Sequence, residues 1–210
     1  FRRYFVSGGM PEAVVALLEN QDTEGTQEIL QNILNAYTLD FSKHAPGNEF
    51  HRINYIWSSL PSQLARENKK FLYQTVKPGA RAREYENALE WLRNAGLIYK
   101  IHKVTAPRLP LSAYEDLSSF KVYMNDVGLL RRLSLLNPVA VTEGNRLFTE
   151  FKGALTENYI LQSMIRQFEG KPRYWSSGNT AEIDFLIQCE NEIIPVEVKS
   201  DVTIRSKSLS

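Results

Sequence analysis

Two short runs near the carboxyl end constrain this chain more than any other feature. They are Glu182-Ile-Asp184-Phe-Leu-Ile-Gln188 and Ile193-Ile-Pro-Val-Glu197-Val-Lys199, joined by a short polar break. Both alternate β-branched or aromatic residues with polar ones, the pattern of a strand. Strand side chains alternate with a period of two, so Val196 and Val198 point one way and Glu197 and Lys199 the other. Ile183, Phe185 and Ile187 likewise share one face, and Glu182 and Asp184 share the opposite one. With Glu190-Asn191 as a two-residue turn, Cys189 pairs with Glu192. Asp184 then lies opposite Glu197, and Glu182 opposite Lys199.

Like charges directly across a strand pair repel unless a cation sits between them. A hard divalent ion is the usual answer, because Mg²⁺ takes one or two carboxylates and keeps several waters. A lysine on the same face adds a point charge where a phosphate or an attacking water would sit. The pattern therefore suggests metal-assisted phosphodiester chemistry. The same residues also fit an ordinary exposed strand face, with Glu182–Lys199 as a cross-strand ion pair worth a few tenths of a kcal/mol. A one-residue change in the turn would undo the Asp184–Glu197 pairing.

A third acid lies upstream. Residues 146–168 have helical period, with Leu147, Phe151, Ala154, Leu155, Leu161, Ile165 and Phe168 on one stripe. Glu157 falls on the edge of that stripe, between Ala154 and Leu161. It is either a surface residue or a carboxylate aimed at the hairpin edge by a helix packed on the sheet.

A helix-borne Glu, then an Asp on one strand, then Glu-x-Lys on the next, resembles the signature of the PD-(D/E)xK nuclease superfamily. Further segments extend the likeness: Ser7-Gly-Gly-Met-Pro-Glu12, residues 88–98 (Ala-Leu-Glu-Trp-Leu-Arg-Asn-Ala-Gly-Leu-Ile), residues 120–130 (Phe-Lys-Val-Tyr-Met-Asn-Asp-Val-Gly-Leu-Leu) and Tyr174-Trp175-Ser176. Together they resemble a bacterial and archaeal domain of unknown function found C-terminal to a P-loop ATPase domain of the AAA+ type. The likeness runs over nearly the whole chain.

The resemblance implies that Asp184 and Glu197 bind the metal, Mg²⁺ or Mn²⁺. Lys199 would orient or activate the attacking water, and Glu157 would match the first-helix acid. ATP would enter only through the ATPase domain, which lies outside these residues. Two departures stand out. Ile183, and not Pro, precedes Asp184, and the chain ends at Ser210 soon after the last motif strand, which implies a fragment with an incomplete core. Many relatives of this superfamily bind nucleic acid without cutting it, so a non-catalytic DNA- or protein-binding regulatory module is the alternative.

The net charge of +1 argues neither for nor against nucleic acid, but its distribution is uneven. Residues 66–108 hold 10 Lys/Arg against 4 Asp/Glu, so phosphate contacts are expected there first. That segment reads as a turn near Lys77-Pro78-Gly79, a helix over 82–94 with Tyr85, Ala88, Leu89 and Leu92 on one face, and strands over 97–104 and 120–125. Helix followed by a long hairpin is the outline of a winged helix. Arg81, Arg83 and Arg93 would lie on its recognition helix, and Lys100, Lys103 and Arg108 on its wing. The arginines equally fit a solvated helix face.

The amino-terminal stretch reads as amphipathic helices over 11–18, 25–41 and 50–64. Ser7-Gly8-Gly9 precedes a helix but lacks the Lys-Ser/Thr of a phosphate-binding loop. His44, His51 and His102 have no zinc-ligand spacing. A single Cys189, no membrane-spanning run and no signal peptide lead us to expect a cytoplasmic protein with no membrane partner. The expected fold is α+β: a helical region with a winged-helix-like unit over 1–137, then a truncated restriction-endonuclease-like α/β core over 138–210. The expected function is nucleic-acid binding, with DNA the expected partner over RNA, and Mg²⁺-dependent phosphodiester hydrolysis, coupled to the N-terminal P-loop ATPase domain of the intact protein.

Overall fold

Helices fill the first half. They are α1 (Arg2–Ser7), α2 (Pro11–Leu18), α3 (Thr23–His44), α4 (Phe50–Leu64), the single turn α5 (Tyr73–Val76) and α6 (Ala82–Asn94). Of these, α2, α3, α4 and α6 fall where the periodicity places them, with α3 extended at both ends, while α1 and α5 add to it. The computed structural model describes residues 2–47, 49–144, 146–177 and 181–200. Local chemistry sets the helix ends. Pro11 opens α2, and the Asp22 carboxylate accepts from the Gly25 N–H to cap α3. Strands β1 (Ile98–Val104) and β2 (Glu115–Met124) follow, then α7 (Val127–Leu133), α8 (Pro138–Glu143) and the long α9 (Arg146–Gln167). Strands β3 (Arg173–Ser176), β4 (Glu182–Cys189) and β5 (Glu192–Val196) end the described order. The fold is mixed α+β.

The strands form one mixed sheet in the order β2-β1-β3-β4-β5. Only the β1–β3 join is parallel, through Lys103 and Tyr174, and the other three pairings are antiparallel. The β1–β2 hairpin thus supplies two of the sheet's five strands. One hydrophobic core runs from Phe5 in α1 to Phe185 and Ile187 in β4, so it spans both expected parts of the chain. Leu186, on the other side of β4, packs with Val104 and Leu111 in a smaller cluster.

The β4–β5 turn falls at Glu190-Asn191 as the sequence suggests, with Cys189 opposite Glu192 and Phe185 opposite Val196. Glu190 takes the left-handed conformation (φ 50°). Two expectations change beyond that register. Strand β5 stops at Val196, because the Asp184 carboxylate accepts from the Val198 N–H at 2.8 Å in place of a ladder bond. Ile183 leaves the face of Phe185 and packs in the smaller cluster, since the β3–β4 register slips between Arg173 and Trp175. Such a bulge re-aims the side chains beside it.

Helix α9 is held in one rotational setting by polar groups buried along it. The Asn158 side chain bonds both backbone groups of Met124, at 2.9 and 3.1 Å. Gln162 accepts from the Val127 N–H and donates to Asp126 and to the Tyr4 hydroxyl, each at 3.1 Å. Asp126 also caps α7 and accepts from the Gly9 N–H at 2.7 Å. The Ser7-Gly8-Gly9 loop is therefore a clamp on Asp126. At Gly128 a side chain would meet the Ser7 backbone at 2.6 Å, closer than real contacts allow. The segments 7–12 and 120–130 act structurally: they orient α9, and with it Glu157. At the start of that helix Phe148 is the buried residue, packed on Phe5, while Leu147 is 63% exposed and leaves the expected stripe.

Candidate functional site

Glu157 sits inside the protein, only 6% exposed. Its carboxylate accepts from Lys69 Nζ at 2.5 Å and from the Tyr123 hydroxyl at 3.0 Å. Lys69 comes from the loop after α4 and Tyr123 from β2. Beside them Lys121, also on β2 and 1% exposed, places Nζ 2.5 Å from Glu182 and 4.0 Å from Asp184. The Lys121 ammonium also lies 4.9 Å from the centre of the Tyr174 ring, a cation–π contact. Lys69 thus pairs with an acid of α9, and Lys121 with two acids of β4, on neighbouring parts of the fold.

Burial pushes the Asp184 carboxyl up to about 6, with the Glu157 charge the next contributor. The Val198 N–H and Lys121 pull the other way, and Glu182 adds to the rise. Burial and the neighbouring Glu157 charge hold the Tyr123 hydroxyl well above its ordinary range, so it stays a neutral donor.

Glu197 and Lys199 lie just past β5. Their side chains form an ion pair, with Glu197 nearly buried and the lysine 48% exposed. The expected Glu182–Lys199 cross-strand pair is not made, because Glu182 is taken by Lys121 and Lys199 by Glu197. A cavity of about 300 Å³ lies between Thr156 and Ile160 of α9 and the 196–200 segment, with Glu197 and Lys199 in its wall. The structure therefore brings Glu157 and Asp184 within electrostatic reach of each other. It sets Glu197 and Lys199 as a pair on the neighbouring segment.

The chemistry of the donor set limits which ion fits. Among the described residues no three of His, Cys, Asp and Glu stand together to hold a metal. A hard, largely hydrated Mg²⁺ needs only one or two carboxylates. Asp184, buried beside other acids and bonded to a single backbone N–H, is the group a cation would stabilise most.

The basic segment divides into outward and inward charges. Arg81 and Arg83 are exposed at the start of α6, and Arg108 is exposed in the loop after β1. Arg93 pairs with Glu90 at 2.5 Å. Lys100 is turned inward: its side chain is 6% exposed, bonded to Glu86 and Glu90 at 2.8 and 3.1 Å, and lies 4.3 Å from the Phe120 ring centre. Lys103 is half-buried on β1. Glu86 in turn accepts from Tyr73, whose hydroxyl is raised by burial and by that bond.

Lys69 and Lys121 went unread in the sequence. Lys121 stands between Phe120 and Val122 in an apolar run, the one available hint, since a lysine there must find a buried acid. Nothing local marks Lys69.

The family whose description reads "domain of unknown function (DUF8612)" matches residues 1–140, two thirds of the chain. The chain belongs to the DUF8612 family. A second domain of unknown function, DUF4143, matches residues 152–210. No curated protein and no solved structure matches the chain. Lys69, Lys121 and Tyr123 thus lie in the DUF8612 part, and Glu157, Asp184, Glu197 and Lys199 in the DUF4143 part. No helix among the described residues is long and apolar enough to cross a membrane.

Proposed function

We propose that this chain is the nucleic-acid-binding C-terminal part of an AAA+ type ATPase, with a PD-(D/E)xK-like core that hydrolyses phosphodiesters using Mg²⁺ or Mn²⁺. The observation that carries the reading is the meeting of Glu157 and Asp184, brought together from α9 and β4 inside a buried pocket of charge. Asp184 and Glu197 would hold the ion. When bound, it polarises a phosphoryl oxygen and makes a water more acidic. Lys199, half exposed and steadied by Glu197, presents its ammonium to the water or the phosphate. Glu157 positions a second water or ion from the helix side.

Substrate approach is assigned to Arg81, Arg83 and Arg108, whose exposed guanidinium groups suit phosphate contacts. Arg93 keeps part of its surface beside Glu90 and joins them, and Lys103 lies on the adjoining strand. Lys100 is left out of this set, because two glutamates already neutralise it. A winged-helix role for α4, α6 and the β1–β2 hairpin, a cytoplasmic setting and the P-loop ATPase partner belong to the same reading. Divalent-dependent cleavage of DNA by the chain, lost in Asp184→Ala and Lys199→Ala, tests it. Cleavage unchanged in both variants would exclude these roles.

One observation favours a second reading, a non-catalytic module. Each acid of the site already faces an ammonium group: Glu157 has Lys69, Glu182 and Asp184 have Lys121, and Glu197 has Lys199. On that reading DNA binds without metal, weakens with salt and depends on Arg81 and Arg83 alone.

A further inference from the structure

We infer that Lys69 and Lys121 are positioning residues of the acidic site, set by the DUF8612 part to hold carboxylates of the DUF4143 part where a divalent ion would otherwise neutralise them. The inference rests on the reading of Asp184 as a cation ligand.

Lys121 is the stronger case. A buried ammonium loses its hydration, and replacing a buried ion pair by apolar side chains is often neutral or stabilising. Its neighbours on β2, Phe120 and Val122, are buried apolar residues, so an apolar residue at 121 would suit the strand. A lysine there instead spans Glu182 and Asp184, which lie next-but-one on β4. Lys69 is delivered as deliberately. Its loop is tied down by the Phe71 N–H donating to Phe120 O at 2.8 Å and by Lys70 Nζ donating to Ser119 Oγ at 2.9 Å. Gln63 adds two bonds to the backbone of Leu72, at 2.8 and 3.1 Å.

Charge counting then gives the consequence. Glu157, Asp184 and Glu182 carry three negative charges, and Lys69 and Lys121 two positive ones, while Tyr123 is neutral. The cluster is one positive charge short. The two lysines hold the acids together when no ion is bound and repel an ion that arrives. They therefore set how weakly the site binds a divalent cation.

The test is Mn²⁺ titration of the 210-residue chain and its Lys69→Met, Lys121→Met and Asp184→Asn variants, read by electron paramagnetic resonance. Removing the Lys121 ammonium, 4.0 Å from the Asp184 carboxylate, should tighten Mn²⁺ binding by about tenfold or more, and removing Lys69, which pairs with the neighbouring Glu157, should tighten it by a smaller factor. A purely structural lysine would not give tighter binding when lost. If Lys121→Met does not fold, Lys69→Met alone decides, because Lys69 lies on a loop. Asp184→Asn should abolish the binding and erase the gain in double variants. Binding that Asp184→Asn abolishes but both lysine variants leave unchanged or weaker overturns this inference and spares the cation-site reading. Binding indifferent to Asp184→Asn, or none in any variant, overturns both.

Discussion

Charge is handled in opposite ways at the two candidate regions. Around α6 the ion pairs are local: Lys100 reaches Glu86 and Glu90, 14 and 10 residues away, and Arg93 pairs with Glu90 one helical turn back. The remaining arginines, Arg81 and Arg83, are left to solvent. At the acidic corner the partners are remote, Lys69 lying 88 residues from Glu157, and they are buried. A surface patch can be read from composition, because it needs only a bias of charge. A buried site cannot, because its counter-charges come from wherever the fold brings a strand or loop past.

The largest expected difference between the regions is in stability. Lys121→Ala leaves Glu182 and Asp184 without their counter-ion and should cost about 3 kcal/mol in urea unfolding, the range for breaking a buried pair. A loss below 1 kcal/mol would mean the corner is solvated like the α6 surface.

Next comes pH. The Asp184 carboxyl is raised to about 6 from its ordinary 3.8. The folded state therefore holds this proton more tightly than the unfolded state does, and the group penalises folding once ionised. The penalty is absent below about pH 3.8, grows as pH rises toward 6 and is complete above it. Asp184→Asn should match the parent near pH 4 and gain on the order of 2 kcal/mol over it by pH 8. A gain independent of pH would remove Asp184 from the buried cluster.

Lys100→Met should cost about 1 kcal/mol, since Glu86 and Glu90 keep partial access to water. It should leave DNA affinity unchanged, whereas Arg81→Ala with Arg83→Ala should shift stability by less than about 0.5 kcal/mol. The arginine pair should also lower the salt slope of DNA binding by roughly 2. Equal effects of the lysine and the arginines on DNA would erase the contrast between inward and outward charge.

The sequence carried the local half of this architecture. Helices α2, α4 and α6 fall where periodicity, Pro11 and the Ala95-Gly96 stop place them, and the β4–β5 turn sits at Glu190-Asn191 with the expected register. Failures begin where tertiary contacts overrule alternation. The β3–β4 bulge turns Ile183 away, Asp184 ends β5 by taking the Val198 N–H, and Phe148 displaces Leu147 because α1 supplies Phe5. Glu157 was legible as a carboxylate at a stripe edge. Its fixed aim was not, since that comes from Asn158 and Gln162 bonding to residues more than thirty positions away.

Mn²⁺ soaked into crystals of the chain, with anomalous scattering recorded at the manganese edge, probes the account at its centre. The expected result is a peak against the Asp184 carboxylate, on the side facing Glu157 or Glu197. Peaks confined to the exposed surface at saturating Mn²⁺, with Asp184 still bonded only to the Val198 N–H and facing Lys121, would contradict it.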